Sequence, residues 1–364
     1  RAAAGRHAAG QGTAEGCARL MQPNASRSAT AAAPLDAGGI VALASAYYGS
    51  ATLFAALDCG LFGQLAKTPD ATAAAIAAAL QLDPHGTRLL LDGCVALGLI
   101  EKNGDTYRNT PAAAATLVPG AAHDLTRAIR YNQDVYGAWG QLAKRVRTGC
   151  PVEAPSIHLG EDTERTRRFV HAMHGRALGI GRAVVPLLEL EGARRLLDVG
   201  GGPGTYAMLM ARAHEGLHAT VLDLPGIVAV AHELIAAANM EQRVATLPGD
   251  YHTTPFDGPW DAITFFGVLH QEPPDTIACL MRSAYAALAP GGRIFVLDLM
   301  TDDTHAHPPF AALFALNMSL STEHGWVFSE GEMAGWLTAA GFEGVKSRPA
   351  PPPMPHVLMT ARKP

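Results

Sequence analysis

The chain has 364 residues, 48% of them apolar and 17% charged, with a formal net charge of −5. That length allows two domains and a proper buried core, and the negative balance argues against a broad nucleic-acid surface. Five dispersed cysteines with no C-x-x-C fit reduced intracellular thiols better than disulfides or a structural zinc site. No apolar run reads as long enough for a membrane span, and the first residues lack the apolar core of a signal peptide, so a cytoplasmic protein is expected.

Residues 1–35 are rich in Ala, Gly, Ser and Thr and are expected to form a disordered tail without a function. Met21 is a candidate natural start, with an upstream extension before it. From Ile40 to Gly60 a long apolar pattern reads as helix, and the stretch from Asp58 to Phe62 reads as a helix ending and restarting. Thr72–Leu80 is an alanine-rich helix. Asp83 then caps a helix with Pro84 at its first position, which runs to Gly98. Residues 99–109 form a hairpin turning at Asn103-Gly104.

Helix, helix, hairpin is a winged-helix order, which serves either DNA binding or protein association. The helix that would enter the groove offers one basic side chain, Arg88, where a DNA reader needs basic and amide groups. The long apolar helix at 40–57 suits burial against a second copy. Two further helical stretches, His123–Arg147 and Glu164–Leu190, join this module to the C-terminal half of the chain.

Residues 196–205 read Leu-Leu-Asp-Val-Gly-Gly-Gly-Pro-Gly-Thr and lead into the helical run Tyr206–Arg212. A strand, a glycine turn and a helix start make a nucleotide-cofactor site of the doubly wound type. The spacing is not a dinucleotide fingerprint, because Asp198 sits on the strand and Pro203 interrupts the loop. The next strand, Ala219–Leu222, ends at Asp223, where a carboxylate can accept both hydroxyls of a ribose. Helix and strand then alternate: helix Ile227–Asn239, strand Val244–Leu247, strand Trp260–Phe266, helix Asp275–Leu288 closed by Ala289-Pro-Gly-Gly292. Strand Arg293–Asp298, helix Glu330–Ala340 and strand His356–Ala361 complete the series.

Such alternation predicts a mainly parallel sheet with helices on both faces and ligands at the carboxyl ends of its strands. Asp198, Asp223, Asp250 and His270 all fall at that rim. Asp250-Tyr251 can serve an adenine, the carboxylate accepting from the amine and the ring offering a face. His270 reads either as a structural histidine or as a general base for a phenol or enol.

The spacing Asp198, Gly200, Gly202, Gly204 resembles the first motif of S-adenosylmethionine-dependent methyltransferases. From about residue 40 onward the chain resembles the small-molecule O-methyltransferases that carry an N-terminal winged-helix-like dimerisation domain. That group includes plant phenolic, hydroxyindole and bacterial natural-product enzymes. The pieces that carry the resemblance are residues 197–204, Leu222-Asp-Leu-Pro225, Gly249-Asp250, Val268-Leu-His270 and Leu288-Ala-Pro-Gly-Gly292.

The resemblance implies an α/β chain, with a Rossmann-like doubly wound methyltransferase domain after a mainly helical dimerisation domain. The expected boundaries are 36–120 for the dimerisation domain, 121–190 for a helical linker, and 191–364 for the cofactor domain. The implied cofactor is S-adenosylmethionine, held by Asp198, Gly200, Gly202, Asp223, Leu224, Asp250, Tyr251 and Phe266. His270 would be the base, flanked by Asp298. Trp139, Phe169, Met173, Met318 and His324 would line the acceptor pocket, with loops around 131–140, 169–178 and 305–328 shaping it.

Expected partners are a small, aromatic acceptor and a second copy of the chain, without nucleic acid or membrane. Two departures stand out: Gln271 comes after the base where the family commonly has Asp, and Val327 stands where many members have a flanking Glu. C-methylation of a 2-oxo acid or enolisable acceptor, with or without a metal at His270 and His324, a cofactor-sensing regulator, and a relative that no longer transfers methyl therefore remain as alternatives.

Overall fold

The computed structural model describes residues 34–121, 123–153, 162–352 and 354–364. The expected N-terminal tail lies almost wholly outside the described residues. The chain divides into two compact units, parting after Gln133.

In the first unit, α1 (Ala37–Ser45) begins where Asp36 accepts the Gly39 amide at 2.7 Å, and α2 (Tyr47–Asp58) comes next almost without a break. Gly60, at φ +72°, lets the chain turn sharply into α3 (Leu61–Lys67), the restart expected near Asp58. A two-residue strand β1 (Ala71–Thr72) precedes α4 (Ala73–Leu80). The Asp83 side chain accepts from Gly86 at 2.6 Å and starts α5 (Pro84–Ala96), with Pro84 in the first turn. Next come the hairpin β2 (Ile100–Asn103) and β3 (Thr106–Asn109), then α6 (Pro111–Thr116), and α7 (Thr126–Asp134) runs up to the division.

The small sheet has the order β1-β3-β2. Phe62, Leu65, Ile76, Leu91, Ile100 and Tyr107 fill its core. Asp92 fastens α5 to the hairpin, accepting from Lys102 at 2.7 Å and from the Tyr107 hydroxyl at 2.8 Å. Those two bonds hold the Asp92 carboxyl below its ordinary range.

The first helices correct one expectation. Ala37–Asp58 is a 22-residue helical run holding an 18-residue window of mean hydropathy 1.6, long and apolar enough by length and composition to cross a membrane. The glycines, serines and tyrosines scattered through it hide that length from a reading by eye. Nothing in α1 is buried, and Ile40, Val41, Leu43, Tyr47 and Tyr48 are all exposed.

In the second unit, α8 (Tyr136–Trp139), α9 (Leu142–Thr148) and the long α10 (Thr163–Val184) precede the main sheet. Then come β4 (Arg195–Val199), α11 (Thr205–Ala213), β5 (His218–Asp223), α12 (Pro225–Ala237), β6 (Val244–Pro248) and β7 (Trp260–Phe266). After them stand α13 (Pro274–Ala287), β8 (Leu288–Asp298), α14 (Pro309–Ser321), α15 (Glu330–Ala339), β9 (Glu343–Pro349) and β10 (Val357–Arg362).

The sheet order is β6-β5-β4-β7-β8-β10-β9, parallel through β8 and antiparallel at β10 and β9. Its inner strands are apolar on both faces, as a doubly covered parallel sheet requires. Along β4, Leu196 packs with α10, α11 and α12, whereas Leu197 and Val199 pack with α13 and α15. Strand order reverses beside β4, so a crevice opens at the carboxyl ends of β4 and β7.

Three readings of this half are revised. Ala289-Pro-Gly-Gly292 does not close a helix: α13 stops at Ala287, and these residues are the irregular start of β8. Gly291 and Gly292 pair with Lys363 of the chain end at 2.9 and 2.8 Å, which draws the segment into the sheet. The stretch 305–328 is not all loop, since α14 occupies Pro309–Ser321, and 169–178 lies within α10. The edge strand β9 was not expected at all.

Candidate active site

The glycine turn adjoins the end of β4 directly. The Gly200 amide donates to the Leu222 carbonyl at 2.8 Å, and its φ is +64°. A Cβ at Gly200 would stand 2.6 Å from Cγ2 of Val268, and one at Gly201 would stand 2.6 Å from Oδ2 of Asp198. The backbone thus runs flush against both neighbours. Gly202 donates to Oδ2 of Asp223 at 2.7 Å, and Leu224 donates to Oδ1 at 2.7 Å. Asp223 therefore ties the turn to the end of β5.

Asp198 is fully buried. Its Oδ1 accepts from the Thr264 hydroxyl at 2.7 Å, while Oδ2 is buried without a hydrogen-bond partner. Burial, with the Asp223 charge adding to it, pushes the Asp198 carboxyl up to about 7 against the Thr264 bond. Burial likewise lifts Asp223 to about 6, against its two backbone donors. An orphaned buried acceptor beside bare backbone, with a second carboxylate one strand over, fits a ligand that brings an ammonium and vicinal hydroxyls.

At the end of β6, Asp250 is half exposed. Its Oδ1 accepts from the His252 amide at 2.9 Å and from Nδ1 of the same residue at 2.7 Å. The other ring nitrogen, Nε2, lies 2.9 Å from Oε2 of Glu272, and the Tyr251 hydroxyl donates to Oε1 of Glu272 at 2.6 Å. Glu272 is nearly buried. Burial and the Glu272 charge push the Tyr251 phenol well above its ordinary value. The sequence pattern does not single out His252, and it offers Glu272 only as an uncertain third ligand for a metal.

Beyond β7, Leu269–Gln271 makes a single 3₁₀ turn that carries His270. Nδ1 of His270 lies 2.7 Å from Oδ1 of Asp298, which also accepts the Leu299 amide at 2.8 Å. A carboxylate oxygen only accepts, so Nδ1 carries a proton, and in the neutral ring Nε2 keeps the lone pair. The Phe314 ring meets the imidazole edge-on at 5.3 Å between centroids. Asp298 is buried, and its Oδ2 has no partner. Near this pair lies His356, which burial and the positive charge of Arg176 hold down to about 3, so it is a neutral ring. His356 was also missed. Its signal was the antiparallel pairing of Val357 with Asp298, which sets the preceding residue beside the dyad.

The other expected residues are less uniformly placed. Trp139 donates from Nε1 to Oδ1 of Asn317 at 2.9 Å, which puts it against the α14 residue next to Met318. Met318 is buried and Met173 half-buried. Phe169 packs with Leu224, Val170, Ile227 and Val230, beside the end of β5. Phe266 is buried and meets Tyr206 edge-on at 5.0 Å. His324 is exposed. Among the described residues no group of three or more His, Cys, Asp or Glu side chains is placed to hold a metal ion, so the metal alternative finds no ligand cluster there.

A doubly wound sheet, a glycine turn after one strand, acids at the ends of the next two and a histidine–aspartate pair at the crevice define a class: a nucleotide-cofactor group-transfer enzyme. Comparison with known proteins makes the class specific. Residues 139–343 match the O-methyltransferase domain model, and residues 41–119 match the O-methyltransferase dimerisation domain model. The chain is 33% identical over 312 residues to the 3-hydroxy-5-methyl-1-naphthoate 3-O-methyltransferase of Streptomyces sahachiroi, covering 84% of this chain and 89% of that one. It is 31% identical to the tetracenomycin polyketide synthesis 8-O-methyl transferase TcmO of Streptomyces glaucescens, over 90% and 97% of the two chains. Among solved structures, human N-acetylserotonin methyltransferase in complex with S-adenosylmethionine superposes with a TM-score of 0.80 at 27% identity, covering 92% of this chain and 99% of that one.

The chain belongs to the O-methyltransferase family. It is a methyltransferase, and its cofactor is S-adenosylmethionine.

Proposed function

We propose that the enzyme methylates a hydroxyl of a small aromatic acceptor of the natural-product type, with His270 as the general base. The observation that carries this reading is the His270–Asp298 pair. Asp298 fixes the tautomer, so the free lone pair sits on Nε2, the nitrogen suited to take a phenolic proton. Bound S-adenosylmethionine supplies an electrophilic methyl group that needs no further activation. What remains for the protein is to align the acceptor and remove its proton.

Asp198, with its orphaned oxygen, takes the ammonium of the cofactor's amino-acid end. The backbone at Gly200 and Gly202 lies against it, and Asp223 and Leu224 meet the ribose. Asp250 and Tyr251 would take the adenine, with Phe266 among the residues that would hold the cofactor. Trp139, Met173, Met318 and the newly found Phe314 and Asn317 form the acceptor wall. Phe169 packs closer to the cofactor side than to that wall. The hydroxynaphthoate and polyketide acceptors in the relatives' names are aromatic hydroxyl compounds, and an apolar wall with one amide suits such a ring. The exposed apolar face of α1 and α2, most of it within the matched dimerisation segment, supports a homodimer.

The test is incubation with S-adenosylmethionine carrying a labelled methyl group and a panel of hydroxynaphthoates and polyketide phenols, with the label located by mass spectrometry. A methyl ether is expected, and His270→Ala should lower its turnover about a hundredfold. Label on carbon, or undiminished turnover in the variant, would overturn the assignment.

A further inference from the structure

His252 is placed between two carboxylates, with one ring nitrogen on each. Neither Asp250 Oδ1 nor Glu272 Oε2 can donate, so each contact needs its own N–H. With both carboxylates ionised, this geometry is that of an imidazolium clamped between two anions. Although burial opposes it, the two carboxylates hold the His252 pKa above its ordinary value. The clamp is anchored on its inner side. Glu272 is 7% exposed, its other oxygen accepts from Tyr251, and its carbonyl accepts from Nε1 of Trp326 at 2.8 Å. The charged groups around His252 are thus Asp250 and Glu272, with Asp223 acting on the far side of Tyr251.

The result is a one-sided Asp250. Both of its side-chain hydrogen bonds, from the His252 amide and ring, go to Oδ1. Oδ2 accepts no hydrogen bond among the described residues. Gly249 lets the loop close this tightly, since a Cβ there would collide with the Thr254 side chain.

We propose that His252, anchored by Glu272, is a positioning residue for cofactor recognition: it locks the Asp250 carboxylate so that Oδ2 stays open to the exocyclic amine of the adenine. This rests on the reading of Asp250 as the adenine contact. His252 itself touches no reacting atom. Without the ring, only the residue-252 backbone amide holds the Asp250 carboxylate, and more of its ordering falls on each binding event. The base is then held less selectively, because selectivity at a single hydrogen bond requires a fixed acceptor.

The experiment is calorimetry with S-adenosylhomocysteine and with S-inosylhomocysteine, in which a carbonyl replaces the amine. The parent protein should prefer the adenine form by about tenfold or more. His252→Phe and Glu272→Gln should each bring the preference down to about threefold or less, with melting temperature recorded to confirm folding. Full preference in both folded variants overturns the proposal and leaves the Asp250 assignment standing. No preference in the parent sinks the Asp250 assignment and the proposal with it. A readout free of substitutions comes from ¹⁵N spectra of histidine-labelled protein at pH 7. A His252 ring protonated on both nitrogens supports the clamp, and a neutral ring overturns it.

Discussion

Asp223 accepts two backbone hydrogen bonds and yet is held at about 6, well above an ordinary aspartate. Burial is the cause, and it outweighs both donors. That direction sets the sign of the linkage. Between about pH 4 and 6 the folded protein binds more protons at this site than the unfolded chain, so its contribution to stability falls as pH rises through that window. At neutral pH the charged form costs about 2–3 kcal/mol in the absence of a ligand. Asp223→Asn removes that cost but leaves one backbone N–H facing an amide donor, a loss of about 1 kcal/mol. The ligand-free variant should therefore be more stable than the parent at pH 7–8, with the difference closing below about pH 4. Affinity for S-adenosylhomocysteine should fall about tenfold to a hundredfold, because the ribose loses a charged acceptor. Thermal melts across pH, paired with calorimetry, check both halves. Unchanged affinity would remove Asp223 from the cofactor site.

At the scale of elements, the glycine turn and the base-bearing turn are in contact. A Cβ on Gly200 would strike Val268, two residues before His270, from a backbone at φ +64°. Gly200→Ala should therefore disturb two functions through one methyl group. Strain at that φ costs about 1–2 kcal/mol, and the displaced Val268 moves the turn that carries the base. A drop in both S-adenosylhomocysteine affinity and turnover at saturating cofactor is expected. Weakened binding with turnover intact would mean that the two turns are mechanically independent.

The turn itself was legible from sequence because glycines, a strand-end acid and a helix start sit within ten consecutive residues. The same holds for α5, where an Asp cap and a proline mark the start. Other elements left no such mark. α14 is apolar over most of its length and starts at Pro309 behind Pro308, so it presents neither a periodic polar face nor a side-chain cap. β9 is an edge strand with Val345 as its one large apolar residue among Glu, Gly, Lys, Ser, Arg and Pro, almost wholly exposed, and it reads as loop. Glu272 and His252 lie 20 positions apart and were invisible as a pair, because only the packing of the β6 loop against the segment after His270 joins them.

For the molecule as a whole, the open question is what covers α1 and α2. An exposed apolar helix in water exacts a hydrophobic cost on each of its large side chains. Ile40 and Val41 are 58% and 70% exposed, and Tyr47 and Tyr48 are 54% and 61% exposed on the next helix. The run is long and apolar enough to span a membrane, so composition alone does not choose between a lipid and a protein partner. The match of residues 41–119 to the dimerisation domain favours a second copy of the chain. If that is the occupant, the protein should scatter light as a dimer at micromolar concentration. The double variant Ile40→Asp with Val41→Asp should then shift to monomer, because two charges buried at an apolar interface go unpaired. Neither residue lies in the core of its unit, so the variant should keep its secondary structure by circular dichroism. A parent protein that is monomeric, and that instead floats with neutral phospholipid vesicles, would assign the helix to a membrane and remove the dimer from the proposed function.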